Sequence, residues 1–234
     1  MDVSHSSSVP VISGIPQGTV LGPLLFLLHI NDLPLSVRSK VRLFADDCLL
    51  YRVINSTEDQ DVLQQDLQNL EQWGARWGMR FNASKCEVMR LKRGNKMLSR
   101  MYTLSSQVLK QADSAKYLGV QITDELSWSP HISTLASKAN SKIGFLWRNV
   151  RQCPAKLREQ AYFTLVRSIL EYSTSVWNPH LKKDINKLED VQRRAARFVK
   201  GDSRWTSSVD AMIEDLGWDS LADRRREICR GGNR

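Results

Sequence analysis

Long apolar runs are missing from this chain of 234 residues. The longest, Val20 to Ile30, is broken by Gly22, Pro23 and His29. It falls far short of the roughly 20 residues needed to cross a bilayer. The opening Met1-Asp2-Val3-Ser4-His5 has no basic segment followed by an apolar one, so it does not read as a secretory signal. Cysteine is scarce: Cys48, Cys86, Cys153 and Cys229 form no CxxC pair. The histidines (His5, His29, His131, His180) show no metal-ligand spacing. These absences argue against a zinc module and predict free thiols in a reducing compartment. No internal repeat is present. The excess of basic over acidic residues is almost confined to one half. Residues 1–129 carry 14 basic and 13 acidic side chains, and residues 130–234 carry 20 and 12, for nets of +1 and +8. A basic half beside a neutral one suggests a polyanion-binding part attached to something else; a generally basic, soluble surface is the plainer reading.

What is present is an ordinary globular composition, 41% hydrophobic and 25% charged. That rules out disorder over the whole chain and allows one large domain or two small ones. After a polar, Ser-rich start, Gly14-Ile15-Pro16-Gln17-Gly18 forms a turn-making cluster. A helix follows, with Pro23 in its first turn and Asn31-Asp32-Leu33-Pro34 as its stop. Being apolar nearly all round, it is expected to be buried. Val41 to Ala45 and Cys48 to Val53 read as strands, with Asp46-Asp47 as a tight turn between them. A second helix starts near Thr57, with Gln60 completing a capping box. Its Leu63, Leu67, Leu70, Trp73 and Trp77 mark one buried face. Short strands are predicted at 79–81, 87–91, 102–104, 108–109 and 117–122. Beyond Pro130 the period becomes helical, with helices at 131–149, 155–171 and 184–200 and two more near 206–214 and 219–229.

The acidic pair is the most informative feature. Adjacent carboxylates at the tip of an apolar hairpin repel each other, and the pair lacks the glycine that a type I′ turn favours. A solvated turn is one reading, since aspartate forms turns well. A hard-oxygen site for magnesium is the other. A second candidate feature is Lys182-Lys183…Lys187…Arg193-Arg194…Arg197…Lys200, whose Ile185, Leu188, Val191, Ala195 and Phe198 follow a helical step. One face of that helix is expected to bury while the other meets solvent or phosphate. The tryptophans, Trp147 and Trp177 among them, read as core anchors.

Taken together, four blocks resemble one family. Ser13-Gly14-Ile15-Pro16-Gln17-Gly18-Thr19-Val20-Leu21-Gly22-Pro23 with Asn31-Asp32-Leu33-Pro34 resembles a segment of the reverse transcriptases of non-LTR (LINE, jockey-like) retrotransposons. Phe44-Ala45-Asp46-Asp47 resembles their active-site hairpin. Trp73…Trp77-Gly78-Met79-Arg80-Phe81-Asn82…Lys85-Cys86 and Tyr117-Leu118-Gly119-Val120 resemble the two blocks that follow, the second being the primer grip. Glu189 to Arg197 looks like the thumb and downstream region.

The resemblance implies an α+β fold: a partial polymerase palm, an antiparallel sheet with helices, over 1–128, then an all-helical, basic thumb and downstream region over 129–234. It implies RNA-directed DNA synthesis with Mg2+, an RNA template, a DNA primer and deoxynucleoside triphosphates, in a nuclear or otherwise cytoplasmic and not secreted protein without a membrane. Asp46 becomes the main metal ligand and Asp47 a secondary one. Lys85 becomes a general acid for pyrophosphate, or a neutraliser of phosphate. Phe44 and Ala45 lie beneath the primer terminus, and Pro16, Gln17 and Gly18 pack against template base and nucleotide. Tyr117, Leu118, Gly119 and Val120 position the primer. Arg193, Arg194, Arg197 and Lys200 contact duplex backbone. The family also needs a further aspartate and fingers upstream of the Gly14 block. Asp2 is the only candidate there and its surroundings do not match. The expectation is therefore an N-terminally truncated chain without polymerase activity; the alternative is a non-catalytic, basic nucleic-acid-binding module.

Overall fold

The computed structural model describes residues 18–91, 100–202, 204 and 206–231. The chain divides into two compact units that part, apart from a short excursion at 89–93, between Gln111 and Ala112.

In the first unit, α1 (Leu21–Ile30) starts where the Thr19 hydroxyl accepts the Gly22 amide at 3.1 Å. A 3-10 turn over Leu33–Ser36, with Pro34 in its first turn, stops the chain from continuing as helix. The strands β1 (Lys40–Phe44) and β2 (Asp47–Tyr51) form an antiparallel hairpin. The long helix α2 (Thr57–Arg76) is capped by Ser56, whose hydroxyl accepts the Asp59 amide, and not by Thr57 with Gln60. Glu58 and Asp59 lie in its first turn, favourable against the helix dipole. Buried Asp66 accepts the amides of Arg38 and Ser39 at 2.9 and 2.8 Å, which ties the approach to β1 onto this helix.

Four short strands follow: β3 (Glu87–Val88), β4 (Thr103–Leu104), β5 (Gln107–Val108) and β6 (Lys110–Gln111). β3 pairs with β6 in parallel, and β4 with β5 antiparallel. Among the described residues the expected antiparallel sheet with helices takes the form of separate two-stranded ribbons, consistent with an α+β fold. Residues 79–81 form no strand. Its apolar residues collect in two small clusters. Ile30, Leu33, Val41, Leu70 and Trp73 make one, and Tyr102, Leu104 and Leu109 the other. Contrary to the sequence expectation, α1 is largely exposed: Leu24, Leu25, Leu27 and Leu28 each keep about half or more of their surface. Among the described residues only its Phe26 and Ile30 reach a core.

The second unit opens with a hairpin of β7 (Ser114–Tyr117) and β8 (Val120–Thr123). Helices α3 (Ser129–Val150), α4 (Ala155–Tyr162), α5 (Ser168–Glu171), α6 (Thr174–Trp177), α7 (Lys182–Lys200), α8 (Val209–Asp215) and α9 (Leu221–Gly231) complete it. The helix expected over 155–171 is interrupted by a π segment at Phe163–Arg167, which separates α4 from α5. One continuous core runs through this unit. Ile132, Ile143 and Leu146 of α3, Leu170, Trp177, and Leu188, Val191, Ala195 and Phe198 of α7 are essentially fully buried. The predicted period of α7 therefore sits on its core face. Each such large side chain contributes about 1.5–3 kcal/mol by leaving water. The helix ends at Gly201, whose φ of 68° is a left-handed C-cap. Glu189 of α7 in turn accepts the amides of Leu221 and Ala222, capping α9 from a neighbouring helix. No described helix is long and apolar enough to cross a membrane.

Candidate functional site

The acidic pair sits at the β1–β2 hairpin, with one correction to the sequence reading. Phe44 pairs with Asp47, so the two turn residues are Ala45 and Asp46, and Asp47 is the first residue of β2. Ala45 has a φ of 49°. A positive φ at the first turn position is normally glycine's, because a Cβ there crowds the following carbonyl at a cost of about 1–2 kcal/mol. The two-residue strand period does the rest. Val41, Leu43, Cys48 and Leu50 pack against the α2 core, which leaves Phe44 and Asp47 side by side on the outer face and Asp46 at the tip. Phe44, Ala45, Asp46 and Asp47 are all exposed. The pair offers hard oxygen donors of the kind magnesium takes. Among the described residues, however, no group of three His, Cys, Asp or Glu side chains comes together to complete a metal site. Burial pushes the adjacent Cys48 thiol up to about 11, and the neighbouring Cys86 adds to this.

Lys85 ends a 3-10 turn over Ala83–Lys85. Asn82 caps this turn through the Ser84 amide at 3.2 Å. The Lys85 side chain is exposed, with no hydrogen bond or ion pair to another described residue. Gly18 is exposed with a φ of 79°, a conformation that suits glycine. Pro16 and Gln17 lie outside the described residues, as does Asp2.

In the second unit, Tyr117 and Val120 close the β7–β8 ladder around Leu118 and Gly119. Both turn residues have positive φ, 45° and 83°, the pattern of a type I′ turn. Three residues that sequence reasoning missed brace this turn. The Tyr172 hydroxyl donates to the Leu118 carbonyl at 3.0 Å, and a Cβ on Gly119 would stand 3.1 Å from the Tyr172 ring. The Gln121 amide donates to His131 Nδ1 at 3.2 Å. Trp177 packs edge-on against His131 and donates its indole N–H to the Tyr172 carbonyl at 2.7 Å. His131 is buried, and burial with the nearby Lys138 charge lowers its pKa. The Tyr172–Leu118 and Gln121–His131 bonds join residues 54 and 10 positions apart, so no local motif reveals them.

The cations of α7 are not equivalent. Arg193 lies 3.3 Å from Asp210 and 4.0 Å from Asp190. Arg197 donates to the carbonyls of Arg204 and Ser207. Lys200 pairs with Asp215. Arg194 and Lys187 instead reach neutral acceptors on α3, Asn140 Oδ1 at 3.1 Å and Ser133 Oγ at 2.8 Å.

The profile of the reverse transcriptase (RNA-dependent DNA polymerase) family matches residues 2–122, a span that takes in the hairpin and the Tyr117–Val120 turn. The chain belongs to the reverse transcriptase family. The relatives it resembles are polymerases and Pol polyproteins of transposable elements. It is 28% identical over 217 residues to the probable RNA-directed DNA polymerase from transposon X-element of Drosophila melanogaster, covering 88% of this chain and 24% of that protein. It is 25% identical over 244 residues to the RNA-directed DNA polymerase from mobile element jockey of the same organism, covering 98% and 26%. It is 26% identical over 219 residues to a Retrovirus-related Pol polyprotein from type-1 retrotransposable element R1 of Nasonia vitripennis, covering 88% and 65%. The reverse transcriptase chain thus spans about a quarter of the first two relatives. No solved structure matches it.

Proposed function

We propose that this reverse transcriptase chain carries the palm hairpin, primer grip and thumb of an RNA-directed DNA polymerase. Its first unit serves nucleotidyl transfer, and its second holds the template–primer. The observation that carries the reading is the hairpin tip. A non-glycine residue, Ala45, is held at positive φ next to two consecutive exposed carboxylates, Asp46 at the tip and Asp47 at the start of a strand anchored on α2. Strain at a turn that a glycine would relieve is accepted where it aims functional groups. Asp46 and Asp47 would hold magnesium, which when bound would activate a primer 3′-hydroxyl and stabilise departing pyrophosphate. Phe44 and Ala45 form the floor beneath the primer end, and Gly18 lies against base and nucleotide. Lys85, exposed and with no side-chain partner among the described residues, protonates or neutralises pyrophosphate. Leu118 and Gly119, locked by Tyr172, present a rigid turn to the primer backbone.

A second reading, nucleic-acid binding without chemistry, draws on the exposure of the acidic pair and the lack of a third ligand among the described residues. Manganese titration followed by amide NMR separates the two. The polymerase reading expects selective broadening of Ala45 to Cys48, abolished by Asp46→Asn with Asp47→Asn. The binding reading expects no localised broadening, and an Asp46→Ala variant that binds nucleic acid as well as or slightly better than the parent.

A further inference from the structure

The positive charge of the second unit concentrates where the sequence reading did not place it. From Leu126 to Arg158 the chain contains no aspartate or glutamate, while it carries Lys138, Lys142, Arg148, Arg151, Lys156 and Arg158. Most of this stretch is α3. Lys138, Lys142 and Arg148 are exposed and form no ion pair or hydrogen bond with a described residue. They recur at steps that keep them on the solvent side of one helix, over a rise of about 15 Å. Ser133, Ser137 and Ser141 lie among them, also exposed. The two hydrogen bonds from Lys187 and Arg194 fix the edge of this face, because Ser133 and Asn140 stand two turns apart on α3 just as their partners do on α7. Both bonds end on neutral groups, and neither cation has a carboxylate partner among the described residues. By contrast, Arg193 and Lys200 face carboxylates, and Arg197 spends its donors on two carbonyls.

We infer that the solvent face of α3, bordered by Lys187 and Arg194 of α7, is the surface that holds a nucleic-acid backbone, in place of the face bearing Arg193, Arg197 and Lys200. The inference rests on the nucleic-acid reading of the second unit and assigns its contact residues. Cations with serine hydroxyls between them are what phosphate oxygens take, without selecting a base sequence. A lipid surface fits less well. A helix that lies on a membrane inserts a broad apolar face, and that of α3 (Ile132, Leu135, Ile143, Leu146) is committed to the core, which leaves Phe145 as the one exposed large apolar side chain on its charged side.

The test is fluorescence anisotropy of the full chain with an RNA–DNA hybrid duplex across a salt series. Replacing Lys138, Lys142 and Arg148 together by Ala should weaken binding about tenfold or more and flatten the slope of log K against log salt by about 2–3, one step per lost phosphate contact. Arg193→Ala with Lys200→Ala should change affinity less than twofold. Circular dichroism checks that both variants fold, and the milder Lys142→Gln should give a proportionate part of the loss. If binding instead follows Arg193 and Lys200 while the α3 variant matches the parent, the assignment is wrong and the nucleic-acid reading survives. If the parent binds no duplex, both fail. If phosphatidylserine-containing vesicles bind more tightly than the duplex and the α3 variant loses that binding, the surface serves lipid and the inference is overturned.

Discussion

The first unit divides its apolar residues between two small clusters beneath short ribbons, whereas the second gathers its own into one core threaded by α7. The two are built for different work. A helical unit with a continuous core can present a rigid charged face and does not depend on neighbours for its packing. Among its described residues the first unit presents a hairpin tip with a positive φ at Ala45, an exposed leucine-rich helix and two-stranded ribbons. The edges of such ribbons ordinarily invite further pairing, and an exposed apolar helix face of this extent marks a contact surface. The unit proposed to serve nucleotidyl transfer is thus the one whose described residues satisfy themselves least.

Core truncations give the widest separation between the units. Phe198→Ala in α7 is expected to cost about 3–5 kcal/mol in urea unfolding, as for other buried aromatics. Leu28→Ala on the exposed side of α1 should stay within about 0.5 kcal/mol. Equal losses would mean that α1 is covered and that the contrast is false. The brace on the Leu118–Gly119 turn comes next. Gly119→Ala forces a side chain into positive φ against the Tyr172 ring and should cost about 1–3 kcal/mol. Tyr172→Phe removes one hydrogen bond, worth about 0.5–1.5 kcal/mol. The double variant should lose less than the sum, because both act on one contact.

A smaller effect sharpens the comparison through pH. Burial holds folded His131 neutral below its ordinary value of 6.5, so the unfolded chain takes up the proton first. The contribution is fully present above pH 6.5 and is lost as the pH falls from there toward the folded value. Chemical denaturation between pH 7.5 and 5 should show the second unit weakening, and His131→Gln should flatten that dependence. Smallest of all, Cys48, pushed up to about 11, should be alkylated at pH 8 far more slowly than a free cysteine in a peptide.

Much of the second unit was legible because periodicity and core coincide there. Leu188, Val191, Ala195 and Phe198 announce both a helix and its buried face, and Gly201 marks its end. The hairpin around Asp46 was legible too, but its register was not. Alternation alone does not distinguish a turn at Asp46-Asp47 from one at Ala45-Asp46, since the deciding cost is a backbone angle at Ala45. The exposure of α1 was illegible for a related reason, since apolar composition states a demand for burial without naming what meets it. The cations of α7 were visible, yet their partners Asp210 and Asp215 arrive from a later helix, and pairing across a fold has no local signature. The acid-free stretch around α3 was in plain sight and would have pointed to the face that keeps its charge.

The central claim, that Asp46 and Asp47 drive nucleotide joining, is tested most directly by placing this chain in the aligned segment of the Drosophila jockey polymerase and assaying primer extension on RNA. The account predicts magnesium-dependent DNA synthesis that disappears with Asp46→Asn. Synthesis that persists when both aspartates are replaced by asparagine, or a folded chimaera that binds the template–primer and extends nothing, would contradict it.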